Sequence, residues 1–183
     1  ENYLDLVGNW SVLSFGHVYF KLLYALREQP KRLCMVPGIY YTSERANLCE
    51  KLADLCSLDK VVLMNSGVEA FETAVKIARR WGYKIKGVRE NKAEIIVCEN
   101  CFHGRTITAL SASANKKHRK GFGPFTPGFW NIPFGDELWL EGCIGENTVA
   151  FLVEPIQAEG GIIVPPEGYL KAVREICTRR NIL

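Results

Sequence analysis

Residues 60–83 read KVVLMNSGVEAFETAVKIARRWGY, and the fold turns on how this stretch divides. Lys60–Met64 is an apolar run of strand length, rich in β-branched residues. It stops at Asn65-Ser66-Gly67, residue types that favour caps and turns. From Val68 to Tyr83 the apolar residues return at helical spacing, with Ala70, Ala74, Ile77, Ala78 and Trp81 expected inward. The stretch is therefore expected to be strand, tight turn, long helix.

The same alternation continues outward. Ala93–Cys98 (AEIIVC) and Thr148–Val153 (TVAFLV) read as buried strands, the second ending at Glu154-Pro155. Thr106–Ser113 resembles a helix of small residues, and Tyr169–Arg180 is amphipathic, with Leu170, Val173 and Ile176 as its stripe. Upstream, 18–29 carries Leu22, Leu23 and Leu26 on one face, and 43–56 follows Ser43, taken as its N-cap. Residues 116–131 form a Gly/Pro/aromatic loop long enough to suggest function, and Asn181-Ile182-Leu183 reads as the approach to another strand. Continuous apolar strands separated by helices predict an α/β fold: a mainly parallel sheet flanked by helices on both faces. In such sheets ligands sit outside the carboxyl ends of the strands.

Composition narrows the class. The chain has 183 residues, 48% hydrophobic and 23% charged, which excludes a disordered protein. A net charge of +3 is too small to argue for nucleic acid, and no apolar run is long enough to span a membrane. The seven cysteines are odd in number, and the lone C-x-x-C at Cys98 and Cys101 has no second pair to complete a zinc site. Reduced, packed cysteines in an intracellular compartment are expected, cytoplasm or mitochondrial matrix. No metal is expected, since His17 and His118 lack neighbouring ligands.

Three loops can carry chemistry. Asn65-Ser66-Gly67-Val68 opens a helix whose free N–H groups favour an anion; it reads either as a phosphate cradle or as an ordinary serine cap. Cys101-Phe102-His103-Gly104-Arg105-Thr106 offers a ring that could stack and a guanidinium that could clamp a carboxylate, or else a core Phe and a solvated Arg. Glu154–Gly161 sets Glu154 and Glu159 just beyond a buried strand, as an acid pair or as a turn cap and an arginine partner. There is no Walker A loop, no dinucleotide-binding glycine fingerprint and no nucleophile elbow.

Taken together, MNSGVEAFETAVKIARRWGY (64–83), CFHGRTITALSAS (101–113), GFGPFTPGF (121–129) and FLVEPIQAEGGIIVPPEGYL (151–170) resemble the class III aminotransferases, enzymes of fold-type I that use pyridoxal 5′-phosphate (PLP). ARRWGYKIKGV (78–88) and the GFGPFTPG loop are most similar to the branch acting on ornithine. The resemblance implies the large domain of that fold in part, with 1–45 as an N-terminal segment and 46–183 as the first part of the cofactor-binding domain. It implies transfer of the δ-amino group of ornithine to 2-oxoglutarate, giving glutamate-5-semialdehyde and glutamate; acetylornithine or another ω-amino acid as donor is the alternative, and a non-catalytic truncated paralogue the third. Ser66, Gly67 and Val68 match the segment that holds the cofactor phosphate, Phe102 the aromatic over the pyridine ring, His103 its variable neighbour, and Glu154 a glutamate near the ring. On the substrate side, Arg105 matches a carboxylate-binding arginine, Glu159 a glutamate that pairs with a distant arginine, and Tyr41 an aromatic. Trp10 stands where the ornithine branch has Tyr. The implied ring-nitrogen aspartate and Schiff-base lysine lie beyond residue 183, so residues 1–183 alone are expected to be inactive. Partners implied are small amino acids, 2-oxo acids and a second copy of the chain, with no membrane or nucleic acid.

Overall fold

The computed structural model describes residues 2–183, apart from the side chains of Trp10 and Ser11. The chain divides at Val62/Leu63 into two compact units. The first holds helices α1 (Gly8–Ser11), α2 (Phe20–Glu28) and α3 (Ser43–Cys56), with a 3-10 turn at Gln29–Lys31. The N-cap of α3 is Thr42 rather than Ser43: its hydroxyl accepts the Arg45 N–H at 3.4 Å, while Ser43 already has helical backbone. No residue of α2 or α3 is buried, and Leu22, Leu26, Leu48 and Leu55 all face outward.

The second unit holds α4 (Gly67–Trp81), β1 (Glu94–Cys98), α5 (Ile107–Ala112), α6 (Lys116–Arg119), β2 (Phe129–Ile132), α7 (Glu137–Cys143), β3 (Thr148–Leu152) and α8 (Tyr169–Arg179). The three strands form one parallel sheet in the order β2-β1-β3. Central β1 reads EIIVC, apolar without alternation because both its faces are covered. Ile95 and Val97 point into a cluster with Phe71, Val75 and Ala78 of α4 and Ala109 and Ala112 of α5. Ile96 points the other way, into Leu140 of α7 and Tyr169, Val173 and Ile176 of α8. Each such side chain taken fully out of water stabilises by about 1.5–3 kcal/mol. Beyond the outer edge of β3, the Leu183 N–H donates to the Val149 carbonyl and its own carbonyl accepts from Phe151, both at 3.0 Å. That is parallel-strand bonding, in keeping with the strand approach read at 181–183.

Several expectations are corrected. Lys60–Met64 forms no strand: among the described residues no strand lies alongside to supply a ladder, and Val62, Leu63 and Met64 are exposed. Residues 129–131, read as the end of the loop, belong to edge strand β2; only Ile132 is buried, and Trp130 is 58% exposed, so the buried-strand signature is missing. Helix α7, unread in the sequence, is capped by Asp136, whose carboxylate accepts the Trp139 N–H at 3.0 Å. The buried stripe of α4 is Phe71, Val75 and Ala78; Ala70, Ala74 and Ile77 face outward, Ile77 at 51% exposure. Helix α4 carries two apolar stripes, and the one holding the larger Phe and Val meets the sheet. In α8, Tyr169 and Cys177 join Val173 and Ile176 inside, while Leu170 is exposed.

Candidate functional site

Helix α4 starts as its sequence demands. The Ser66 hydroxyl accepts the Glu69 N–H at 3.3 Å, and the Glu69 carboxylate reaches back to Ser66 Oγ at 3.4 Å and Asn65 Nδ2 at 3.5 Å, in the manner of a capping box. Gly67 and Val68 are the first two helical residues, so their N–H groups have no acceptor within the helix. Nothing lies within 4 Å of the position a Cβ on Gly67 would occupy. Two unspent donors, the positive end of a 15-residue helix and open space form a cradle for an anion.

The loop that leaves β1 is seated on this helix start. A Cβ on Gly104 would lie 2.4 Å from Val68 Cγ2 and 2.7 Å from Val68 Cβ, so only glycine permits the approach, and its φ of +122° lies where side chains are strained. Two further contacts hold the loop there. Thr106 Oγ1 donates to Glu72 Oε1 at 2.6 Å while it also caps α5, and the His103 ring stacks on Phe71 with centroids 5.1 Å apart and planes 5° apart.

The loop that leaves β3 fastens to the same segment from the other side. Glu154 Oε2 accepts the Phe102 N–H at 3.2 Å. Gln157 Nε2 donates to the Glu99 carbonyl at 2.7 Å. Because β1 and β3 are parallel neighbours, both loops leave the same edge of the sheet. The segment 99–106 therefore brings Ser66–Val68, Phe102–Arg105 and Glu154–Glu159 into one neighbourhood.

Charge is unevenly spread here. Phe102 is half-buried, with the Arg105 guanidinium over its ring at 5.3 Å. Arg105 is exposed, and among the described residues no carboxylate pairs with it. Burial pushes the Glu154 carboxyl above the usual range, the N–H groups of Phe102 and Ala158 pull it back, and the nearby Glu159 charge raises it again. Glu159 itself is exposed. No cluster of potential metal ligands occurs among the described residues.

Burial pushes the His103 imidazole down to about 4 from 6.5, and among the described residues its Nε2 has no hydrogen-bond partner. The folded protein thus takes the proton less readily than the unfolded chain. His103 gives its full contribution above about pH 6.5 and loses it as pH falls towards about 4, by at most about 1.4 kcal/mol per pH unit. The raised carboxyl of Glu154 acts with the opposite sign, gaining stability as it protonates. Between about pH 7 and pH 5 the melting temperature of His103→Phe is expected to fall less than that of the wild type. Parallel curves would refute this assignment.

Two sequence-predicted residues fall outside this description of the second unit. Tyr41 belongs to the first unit and is 94% exposed, and the side chain of Trp10 lies outside the described residues. Two residues to which the sequence reading gives no role, Glu72 and Gln157, are structural parts of the site, and Gly104, read there only as part of its loop, is a third. Gly104 follows His103 directly in a quoted motif, and a glycine beside an aromatic loop is a signal for close approach. Glu72 and Gln157 give no such signal.

The sequence pattern of the Aminotransferase class-III family matches residues 1–183. The ornithine aminotransferase of Brevibacillus brevis is 46% identical over 183 residues, which are 100% of this chain and 46% of that protein. Among solved structures, the ornithine aminotransferase from Toxoplasma gondii superposes with a TM-score of 0.96 at 41% identity, over 100% of this chain and 44% of its own. That crystal, grown in the presence of oxidized glutathione, has partial occupancy of PLP at the active site. The acetylornithine aminotransferase from Elizabethkingia anophelis superposes with a TM-score of 0.81 at 46% identity, over 99% of this chain and 44% of its own. The chain thus spans less than half the length of the curated relatives it matches.

Proposed function

Because the chain belongs to the class-III aminotransferases, we propose that the whole protein moves the δ-amino group of ornithine to 2-oxoglutarate with PLP as its cofactor. The observation that carries this reading is the meeting of an anion cradle at Gly67–Val68 with a half-buried aromatic and an exposed guanidinium on one loop. The identity to ornithine aminotransferases supports the donor. The residues present fit the cofactor. The N–H groups of Gly67 and Val68 would take its phosphate, joined by the Ser66 hydroxyl, which is held only loosely by Glu69 at 3.4 Å. Phe102 would lie against the ring, with His103 behind it on Phe71. PLP, when bound, supplies the electron sink for loss of the substrate proton.

The chain's own residues bind and orient. Arg105 takes a substrate carboxylate through its bidentate fork. Glu154 holds the backbone beneath Phe102 and so fixes the height of the ring. Glu159 offers a negative charge at the exposed rim, suited to an arginine that competes for the second carboxylate of 2-oxoglutarate. Trp10 and Tyr41 are assigned to the substrate side by resemblance. Residues 46–183 are assigned to the cofactor-binding domain and 1–45 to the segment before it. A homodimer agrees with apolar side chains left exposed, such as Phe122 in the GFGPFTPG loop. A reducing compartment, cytoplasm or mitochondrial matrix, agrees with seven free cysteines. No described helix is long and apolar enough to cross a membrane.

The full-length protein with PLP, ornithine and 2-oxoglutarate is expected to form glutamate-5-semialdehyde. The 46% identity to the Elizabethkingia anophelis enzyme supports N-acetylornithine as a second donor. The ratio of kcat/KM for the two donors decides between them, and turnover of neither would refute both readings.

A further inference from the structure

Gln157 is buried, at 1% exposure, and its main chain forms an antiparallel bridge with Ile163, N–H to carbonyl at 3.0 Å and the reverse at 2.8 Å. The bridge closes a tight turn over 158–162 that carries Glu159. Its side chain reaches out of this turn, and Nε2 donates to the Glu99 carbonyl at 2.7 Å. Among the described residues Oε1 has no hydrogen-bond partner, and it stands 3.3 Å from where a Cβ on Gly160 would be. That same Cβ would lie 3.0 Å from the Asn100 carbonyl, so the two loops are in backbone contact at this point. A buried amide with an unspent acceptor is costly, and packing alone would be served better by an apolar residue of the same length. The one strong bond it makes is therefore the informative one.

Glu99 and Phe102 are the two ends of a four-residue stretch, and each is gripped from the β3 loop: Phe102 by Glu154 and Glu99 by Gln157. Other bonds hold the stretch to β2 and α5, Glu99 N–H to the Ile132 carbonyl at 2.8 Å and Cys101 Sγ to the Ala112 carbonyl at 3.7 Å, but these two are the grips from the β3 loop, and together they restrain the tilt of the Phe102 ring relative to the Glu159 turn. We infer that Gln157 is a positioning residue, which sets the orientation of the Phe102 ring and couples it to the Glu159 turn through its bond to the Glu99 carbonyl. The inference rests on the PLP reading above, since it concerns the ring against which that cofactor would lie.

Pyridoxamine 5′-phosphate is a suitable probe because it forms no Schiff base with lysine. Full-length wild type, Gln157→Met and Val173→Ala are titrated with it, with dissociation constant, induced circular dichroism and melting temperature recorded. Val173 is buried on the opposite face of the sheet and serves as a control for lost stability alone. Gln157→Met is expected to weaken binding about tenfold and to diminish the induced band, whereas Val173→Ala lowers the melting temperature and leaves the band intact. If Gln157→Met does not fold, Gln157→Asn is used; it keeps the amide but is one methylene too short to reach Glu99, and the same loss is expected. Wild-type affinity and an unchanged band in the folded variant would overturn the inference. Absence of binding to the wild type would overturn the PLP reading first and the inference with it.

Discussion

Gly104→Ala is expected to destabilise the second unit by about 2–6 kcal/mol and to abolish high-affinity cofactor binding. Two costs combine. Backbone in this region of φ costs a non-glycine residue about 1–3 kcal/mol, and forcing a methyl into a filled contact costs about 1–3 kcal/mol more. The contact cannot be relieved by a rotamer change, because one of the atoms struck is Val68 Cβ, at 2.7 Å, which is fixed by the helix backbone. The loop must lift instead, taking Phe102 and Arg105 away from the helix start. Val68→Ala removes Cγ2 but leaves Cβ, so the double variant Gly104→Ala/Val68→Ala should recover only part of the loss. Urea unfolding of the three variants and the wild type measures this, and full recovery in the double variant would contradict the geometry described.

Arg105→Leu is expected to leave the fold and the affinity for pyridoxamine 5′-phosphate intact, and to lower kcat/KM of the full-length protein for 2-oxoglutarate by about 10²–10⁴-fold. Hydrogen bonds to charged groups contribute about 1.5–3 kcal/mol each, and a bidentate clamp makes two. The side chain is exposed and unpaired among the described residues, so its removal opens no cavity and orphans no carboxylate. The contact with Phe102 at 5.3 Å is worth about 0.5–1 kcal/mol at such a site. Arg105→Lys keeps the charge without the planar fork and should recover little. Steady-state kinetics with both substrates test this, and a loss confined to cofactor affinity would move Arg105 out of the substrate role.

What the sequence makes legible follows its local physics. The start of α4 is written in Ser66 and Glu69, three apart, and the buried strands β1 and β3 in unbroken apolar runs flanked by polar turns. Lys60–Met64 carries the same kind of run, yet a strand exists only where another lies alongside, and no local pattern encodes the neighbour. β2 is hidden for the converse reason: as a four-residue edge strand it needs neither burial nor alternation to pair with β1. On α4 both stripes are apolar, so periodicity alone cannot tell that Phe71 and Val75 rather than Ala70 and Ala74 meet the sheet. The three loops of the site were readable because each follows or precedes an element with a clear pattern. The cross-links between them, Thr106 to Glu72 and Gln157 to Glu99, join residues 34 and 58 apart in sequence and become visible only in the folded chain.

Those separations bear on the order of assembly. The side-chain bonds that seat the 99–106 loop on its neighbours, Thr106–Glu72, Phe102–Glu154 and Gln157–Glu99, span distant parts of the chain, the Phe102–Glu154 link being 52 residues long. Loop-closure entropy must be met before such contacts give any return, so this half-exposed loop is expected to seat late, on a β1–β3 pairing that spans a similar distance and is far better buried. A ligand that bridges the α4 start and the 99–106 loop binds only after this final step, and at a hundredfold excess over its dissociation constant it stabilises the closed state by about 2.7 kcal/mol. On the PLP reading, adding the cofactor to the full-length protein is therefore expected to slow its digestion by a protease, and equal rates with and without it would count against this order of opening.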